Sequence, residues 1–413
     1  MTAFNKIFEA ARLTRIAGEF GTPLYVYDEQ TIRTQCRNLK NAFEGLPVRF
    51  LYAVKANDNP HILTIMHEEG MGYDTVSYEE VLLGLRVKSD PRQIFYTENN
   101  MTDQEMEAAI RSGVILNIGS MSRLKSFFSH PGSRECSIRL NPGIGDGHHH
   151  KVDTGNRDSK FGIRKDLIPE CARLAASHGR KITGLHLHIG SGIRKPENLI
   201  SAMGVLIEYA QYLPDLQFIN FGGGMPIPYQ EGDEPFDLAA FAMLAEKVIM
   251  DDYMKRDSGF RYYFEPGRWF TAQAGVLLTR VNTVKDQGNV SYLGTDTGLH
   301  HILRPALYDA YHAVVNLSRH DAPGNTLYTI AGNICESGDI LATDRKLPES
   351  AEGDLLAICD AGAYGMTMAS HYNRRALPAE VLVNGDTNIL IRRRMSAGET
   401  VDRHLSDTGF QQN

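Results

Sequence analysis

"RFLYAVKA", residues 49–56, runs as a buried strand should until a charge, Lys55, appears at its last residue but one. Phe50 to Val54 is an apolar run with β-forming residues, closed by the turn-prone Asn57-Asp58-Asn59-Pro60. A lysine at its end, Lys55, is costly to bury without a partner. The same unit, a short β-rich run and a polar turn, usually followed by a helical pattern, recurs along the chain. The further runs are "GYDTVS" (72–77), "IFYTEN" (94–99), "VILNIGS" (114–120), "CSIRLNP" (136–142), "GLHLHIGS" (184–191), "FINFGGG" (218–224) and "YYFEPGR" (262–268). Segments between them, such as Glu79–Leu85 and Met106–Ile110, carry apolar residues at helical spacing. Strands alternating with helices mean parallel strands with crossovers. Eight such units predict a closed α/β barrel, a (β/α)8 TIM-type fold, with loop insertions after the fifth and sixth strands. An open doubly wound sheet is the competing reading. It would show its phosphate-binding glycines after the first strand, and here the glycine triplet comes late.

Beyond about residue 275 the texture changes. "GVLLTRVNTVKD", "SYLGTD", "NTLYTIAG", "DLLAICDAG", "PAEVLVNG" and "NILIRRR" read as strands separated by Gly, Asn and Pro turns. The expected organisation is therefore a barrel over 31–278 and an all-β, sandwich- or barrel-like domain over 279–413. Residues 1–30 hold a helix, with Phe4, Ile7, Phe8 and Ala11 at helical spacing, and a strand, "TPLYVYDEQT", that joins the β-domain.

Composition narrows the function classes. A formal net charge of −7 gives no reason to expect nucleic acid or an anionic membrane as partner. No apolar run is long enough for a transmembrane helix, and the N-terminus lacks the apolar stretch of a signal peptide. The five cysteines are scattered, odd in number and without a C-x-x-C pair. A disulfide framework and a zinc site are not expected, and the cytoplasm is the default. "DGHHHK" (146–151) looks metal-like, but consecutive histidines on a loop converge poorly on one ion, so no metal is expected.

In a (β/α)8 enzyme the active site lies at the C-terminal ends of the strands. Lys55, His188, Ser191, Gly222-Gly223-Gly224 and Glu265-Pro266-Gly267-Arg268 all fall on that rim. A desolvated lysine has a lowered pKa and can serve as an amine nucleophile toward carbonyls; a snorkelling or salt-bridged lysine is the plainer alternative. The glycine triplet admits close backbone approach to an anion, with Arg268 as a charged donor, or it is simply a flexible turn. Glu265 has the right chemistry to hold a heteroaromatic nitrogen protonated, or to pair with Arg268. His186 and His188 alternate around Leu187, so one of them can stack on a flat cofactor or both can be core histidines. In "ICESGD" (334–339), Cys335 stands near Glu336 and Asp339, whose negative charge favours a proton donor over a thiolate.

Together, "YAVKAN", "HLHIGS", "FGGG", "EPGR", "RPALYDAYH", "CESGD", "DAGAYG" and "YNRRALPAEVLV" resemble, in order and from about residue 20 to 400, the fold-type III pyridoxal-phosphate decarboxylases, and most of all the branch acting on diaminopimelate. The resemblance implies pyridoxal 5'-phosphate as cofactor, bound covalently by Lys55. It implies His188 stacked on the ring, Glu265 at the pyridine nitrogen, and Ser191, Gly222, Gly223, Gly224, Gly267, Arg268 and Tyr364 around the phosphate. It assigns Arg304 and Tyr308 to the far carboxylate of an amino-acid substrate, with Arg268 and Tyr364 assisting. Glu336 takes the far ammonium, and Cys335 faces the carbon to be reprotonated. Relatives are head-to-tail homodimers, so Cys335, Glu336 and Tyr364 would act in the partner's site. Trp269 after "EPGR", the two histidines of "DTGLHHILRP" and "VSYEEV" depart from the usual pattern.

The implied reaction is decarboxylation of meso-2,6-diaminopimelate to L-lysine, the last step of lysine synthesis. A sister decarboxylase of ornithine, arginine or a carboxy-polyamine is the alternative. An arginine for a far carboxylate argues against it. A dead regulatory homologue would be expected to lack Lys55 or Cys335, and both are present.

Overall fold

The computed structural model describes residues 7–143 and 154–409. The His148–His150 loop lies outside the described residues, as does Phe4 of the N-terminal helical pattern. The chain divides into two compact units: residues 33–227 with 235–269, and residues 1–32 with 228–234 and 270–413.

The first strand, β1 (Leu24–Asp28), belongs to the second of these units. The barrel unit is built from β2 (Val48–Ala53), β3 (Gly72–Thr75), β4 (Ile94–Thr97), β5 (Ile115–Ile118), β6 (Glu135–Asn141), the two-residue β7 (Ile163–Arg164), β8 (Lys181–His186), β9 (Phe218–Asn220) and β10 (Arg261–Phe264). All eight expected runs supply a strand. Each pairs in parallel with the next, β6 with β8, and β10 with β2, which closes the ring. Leu51, Phe95 and Phe218, with Ile115 and Tyr263 against them, come from five different strands and meet in one cluster, so the barrel is filled rather than hollow. The crossover helices start where the sequence offers caps. Asn59 caps Pro60–Glu68, Ser77 caps Tyr78–Arg86, and Thr102 with Glu105 forms a capping box on Asp103–Ser112.

The other unit is a mixed sheet. Its strands are β1, β11 (Gly275–Asp286), β12 (Ser291–Thr295), β13 (Val314–Asn316), β14 (Thr326–Ala331), β15 (Ile340–Leu347), β16 (Leu355–Ile358), β17 (Ala379–Asn384) and β18 (Thr387–Arg392). Their order is β15-β14-β12-β11-β1-β17-β18, with β16 branching from β11 and carrying β13. β1 runs antiparallel to β11 and parallel to β17. The helix Ala10–Phe20 lays Leu13, Ile16 and Ala17 on Leu24, Val26, Val276 and Leu278. The C-terminal part of this unit begins at Phe270, whereas the sequence reading ended the barrel at 278. Residues 275–278 open the strand read from the sequence as 275–286, and they pair with β1 and β16, so they belong with this unit rather than with the barrel.

Candidate active site

The strand register of the barrel gathers the polar groups. Ala53 of β2 lies opposite Asp74 of β3. Across the next strands, Arg139 of β6 pairs with His186 of β8, His186 with Asn220 of β9, and Asn220 with Tyr263 of β10. These positions form one layer at the C-terminal ends of the strands, where parallel strands otherwise read apolar.

Lys55 stands just past β2, on the single 3-10 turn Val54–Ala56. Its side chain keeps 39% exposure, so the amine is only partly withdrawn from solvent. Its ammonium is 2.7 Å from Oδ2 of Asp74, which is only 2% exposed. Burial and then the negative charge of Glu265 push the Asp74 carboxyl above its usual range, while Lys55 pulls it back. Asp74 is thus a weakly acidic partner that holds the amine in place. Gly267 explains why the turn can sit there. A Cβ at Gly267 would come within 2.9 Å of the Ala56 and 3.0 Å of the Ala53 side chain.

Glu265 is 6% exposed and follows β10. Asn220 Nδ2 donates to its Oε1 at 2.6 Å, and His186 Nε2 lies 3.1 Å from its Oε2. Burial alone would raise this carboxyl. The facing His186, with Lys55 and His188, outweighs burial and holds it well below the usual range. The pairing with Arg268 considered from the sequence gives way to these two donors. A carboxylate accepts about four hydrogen bonds, so Glu265 retains capacity for a further N–H donor.

His188 is beyond the end of β8, in the loop after His186, so the two histidines do not share one strand face as their alternation suggested. The Gly223 N–H donates to His188 Nδ1 at 3.1 Å. A backbone N–H can only donate, so Nδ1 carries the lone pair and the ring is neutral. Burial, then Arg139 and Lys55, push its pKa well down, in agreement.

The Gly222–Gly224 loop lies tight against its neighbours. A Cβ at Gly222 would collide with the Leu187 carbonyl, and one at Gly223 with that of Glu265. Gly222 and Gly224 also take φ of 68° and 121°, which favour glycine. Gly192 and Ile193 both donate to the Gly224 carbonyl at 3.0 Å, which sets Ser191 beside this loop. Arg268 Nη2 reaches Ser191 Oγ at 3.1 Å. A guanidinium and a hydroxyl beside a glycine loop are the donor set of an anion cradle.

The remaining expected residues lie in the other unit. Arg304 is buried in the short helix Arg304–Tyr308, and Tyr308 at its end is half-buried. Cys335 and Glu336 are exposed. The Cys335 N–H donates to Asn373 Oδ1 at 3.1 Å, and the Tyr372 hydroxyl donates to Glu336. Asp339 ties this loop down, accepting from Ile334 N–H at 2.7 Å and Leu299 N–H at 2.6 Å. Tyr364 is half-buried with a left-handed φ of 56°.

The donor set on the barrel rim fits pyridoxal phosphate. It has an amine for the aldehyde, a carboxylate with spare acceptor capacity for the ring nitrogen, a neutral imidazole for the ring face and an anion cradle for the phosphate. Sequence reasoning missed Asp74, Asn220 and Arg139, all buried. Among the described residues no cluster of His, Cys, Asp or Glu could hold a metal ion, and no helix is long and apolar enough to cross a membrane.

The sequence pattern of the family described as pyridoxal-dependent decarboxylase, pyridoxal binding domain, matches residues 29–272. A diaminopimelate decarboxylase of Methanothermobacter thermautotrophicus is 42% identical over 93% of this chain and 92% of its own. That of Escherichia coli K12 is 36% identical over 96% and 97%. The crystal structure of diaminopimelate decarboxylase from Helicobacter pylori, complexed with L-lysine, superposes with a TM-score of 0.88 at 30% identity, over 96% of this chain and 100% of that one. A lysine/ornithine decarboxylase from Vibrio vulnificus shares the fold, with a TM-score of 0.80 at 21% identity over 91% of this chain and 96% of that one.

Proposed function

This chain belongs to the family of pyridoxal-dependent decarboxylases that includes the diaminopimelate decarboxylases, and on that premise we propose how its residues divide the work of converting meso-2,6-diaminopimelate to L-lysine and carbon dioxide. The observation that carries the reading is the convergence of Lys55, Glu265 and the Ser191–Arg268 pair on one barrel rim. Pyridoxal 5'-phosphate, when bound, supplies the electron sink for the pair left behind by carbon dioxide. Lys55 holds its aldehyde carbon, and Asp74 positions the Lys55 amine. Glu265, braced by His186 and Asn220, keeps the ring nitrogen cationic. His188 covers one ring face as a neutral group. Ser191, Arg268, Gly267 and the Gly222–Gly224 loop hold the phosphate, with Tyr364 contributing.

The substrate has an ammonium and a carboxylate at the end that does not react. Arg304 and Tyr308 receive that carboxylate and Glu336 that ammonium, with Arg268 and Tyr364 assisting. Cys335 delivers the proton that replaces carbon dioxide. The chain works as a homodimer in which Cys335, Glu336 and Tyr364 serve the partner's site, as the family resemblance implies. The cytoplasm suits it, since all five cysteines are free, four of them buried. The net charge of −7 supports neither a nucleic-acid nor a membrane partner.

Carbon dioxide release from diaminopimelate stereoisomers, lysine, ornithine and arginine tests the substrate. Preference for the meso isomer is expected. Arg304→Ala should raise KM strongly with an unchanged cofactor spectrum, because Arg304 is assigned to the substrate alone. Preference for ornithine, or an unaltered KM in the variant, would end the substrate reading and leave the cofactor reading standing.

A further inference from the structure

Arg304 does not stand by itself. The helix Arg304–Tyr308 stops at Asp309, which takes a left-handed φ of 51°. The chain then turns back and lays His312 on Arg304. His312 is fully buried. Its Nδ1 is 2.7 Å from the Cys359 carbonyl oxygen, and its Nε2 is 2.8 Å from Nη1 of Arg304. A carbonyl only accepts and a guanidinium only donates. Both contacts are made only by a neutral imidazole with its proton on Nδ1. Tyr229 completes the cluster. The guanidinium carbon stands 4.6 Å from its ring centre, and that ring meets the imidazole edge-on at 5.5 Å.

We infer that His312 is a positioning residue for substrate recognition, holding the Arg304 guanidinium in the orientation that meets the far carboxylate. This rests on the reading of Arg304 given above. The Tyr229 ring face holds the guanidinium carbon from one side, and the bond to His312 restricts the rotation of the guanidinium over that ring. A pre-set fork loses less freedom when a carboxylate docks than a mobile one does. The chemistry of the partner also matters. A carboxylate in place of His312 would neutralise Arg304 and compete with the substrate's own carboxylate. A neutral imidazole orients the cation and leaves its charge intact. Asp360, which also feels Arg304, is pushed up to about 7 by burial, so it opposes that charge less than an ordinary aspartate. His312 itself touches no substrate; it acts through Arg304.

Two amide variants separate orientation from simple packing. His312→Asn keeps an N–H for the Cys359 carbonyl and is too short to reach Arg304. His312→Gln brings a carbonyl oxygen close to the position of Nε2. His312→Asn should raise KM for meso-diaminopimelate by about 10- to 100-fold, the worth of a hydrogen bond to a charged group, with kcat changed by less than about 3-fold. The Ki of L-lysine, which keeps the far carboxylate, should rise by the same factor. The Ki of cadaverine, which has both amines and no carboxylate, should not move. His312→Gln should recover most of the loss. Arg304→Ala combined with His312→Asn should be no worse than Arg304→Ala alone, because both act along one path. Equal defects in the Asn and Gln variants, a parallel loss for cadaverine, or additive losses in the double variant would each overturn the inference. If Arg304→Ala raises KM and His312→Asn does not, the inference fails while the assignment of Arg304 stands. If Arg304→Ala leaves KM unaltered, both fall.

Discussion

Glu265→Gln exchanges one carboxylate oxygen for an amide nitrogen, and the surroundings have no good way to accept it. Both neighbours donate: Asn220 Nδ2 to Oε1 at 2.6 Å, and His186 Nε2 to Oε2 at 3.1 Å. An amide has one oxygen, so one donor must face an NH2 group. Turning the Asn220 amide over is blocked, because its Oδ1 already accepts the Gly222 N–H at 3.0 Å. Moving the His186 proton to Nδ1 places it on a buried atom with no hydrogen-bond partner among the described residues. Every arrangement leaves a buried N–H donor unmet where the wild type leaves only the His186 Nδ1 lone pair, at a cost of about 1–3 kcal/mol. The second effect is on chemistry. A neutral amide cannot stabilise a cationic ring nitrogen, and losing such a preorganised group costs on the order of 10²-fold or more in kcat, about 2.7 kcal/mol. Urea unfolding with and without cofactor measures the first effect, and kcat on meso-diaminopimelate the second. The pH dependence has a fixed sign. The Glu265 carboxyl is held below its ordinary 4.5 in the fold, so its stabilisation is present above 4.5 and lost as pH falls below it. The stability gap between wild type and variant should therefore narrow below pH 4.5. A variant as stable as wild type to within about 0.5 kcal/mol would refute the hydrogen-bond reasoning, and an unchanged kcat would refute the role at the ring nitrogen.

Lys55→Ala should lose the borohydride-reducible visible absorbance and all turnover while staying folded, because Asp74, already hard to ionise, can take up a proton when its partner is gone; near wild-type turnover would sink the assignment. Mixing inactive Lys55→Ala and Cys335→Ala chains should restore activity, since two-fold symmetry gives each heterodimer one intact site, and no recovery after verified subunit exchange would place both residues in the same chain's site. His300 is buried, its ring nitrogens have no hydrogen-bond partner among the described residues, and burial lowers its pKa from 6.5 to about 4. The unfolded chain therefore binds a proton that the fold refuses, and stability falls as pH drops below 6.5. His300→Phe should gain about 2 kcal/mol on wild type at pH 5 relative to pH 7, and a gap that does not change with pH in urea unfolding would contradict this.

The barrel was legible because its signal is local and repeated. Each strand carries its own β-rich run, and the rim residues follow those runs at once. Lys55, His188, Glu265 and Arg268 stood out as charged or polar groups at the ends of apolar stretches. Asp74, Arg139 and Asn220 did not, although they carry the same signal in weaker form. Each is a polar residue inside a short strand of a sheet that is buried on both faces. What makes them a site is the register that sets Ala53 against Asp74 and His186 against Asn220, and register between separate strands is not written in either strand alone. The domain boundary escaped for a related reason. The texture changes at about residue 275, but where one unit hands over to the other is set by the ladder partners of 275–278, β1 and β16, which lie far away in the chain.

The position of β1 reaches beyond the folded state. Leu24 pairs with Ala379, so a strand made among the first thirty residues waits for one made near the end of the chain. At ordinary ribosomal speed that wait lasts roughly 20–70 s. The barrel sequence, residues 33–269, is complete long before then and can condense while "LYVYD" is still without its flanking strands. During synthesis the "LYVYD" segment thus has one edge without its native partner until β17 is made, an opening for a nascent-chain chaperone or a misdirected strand.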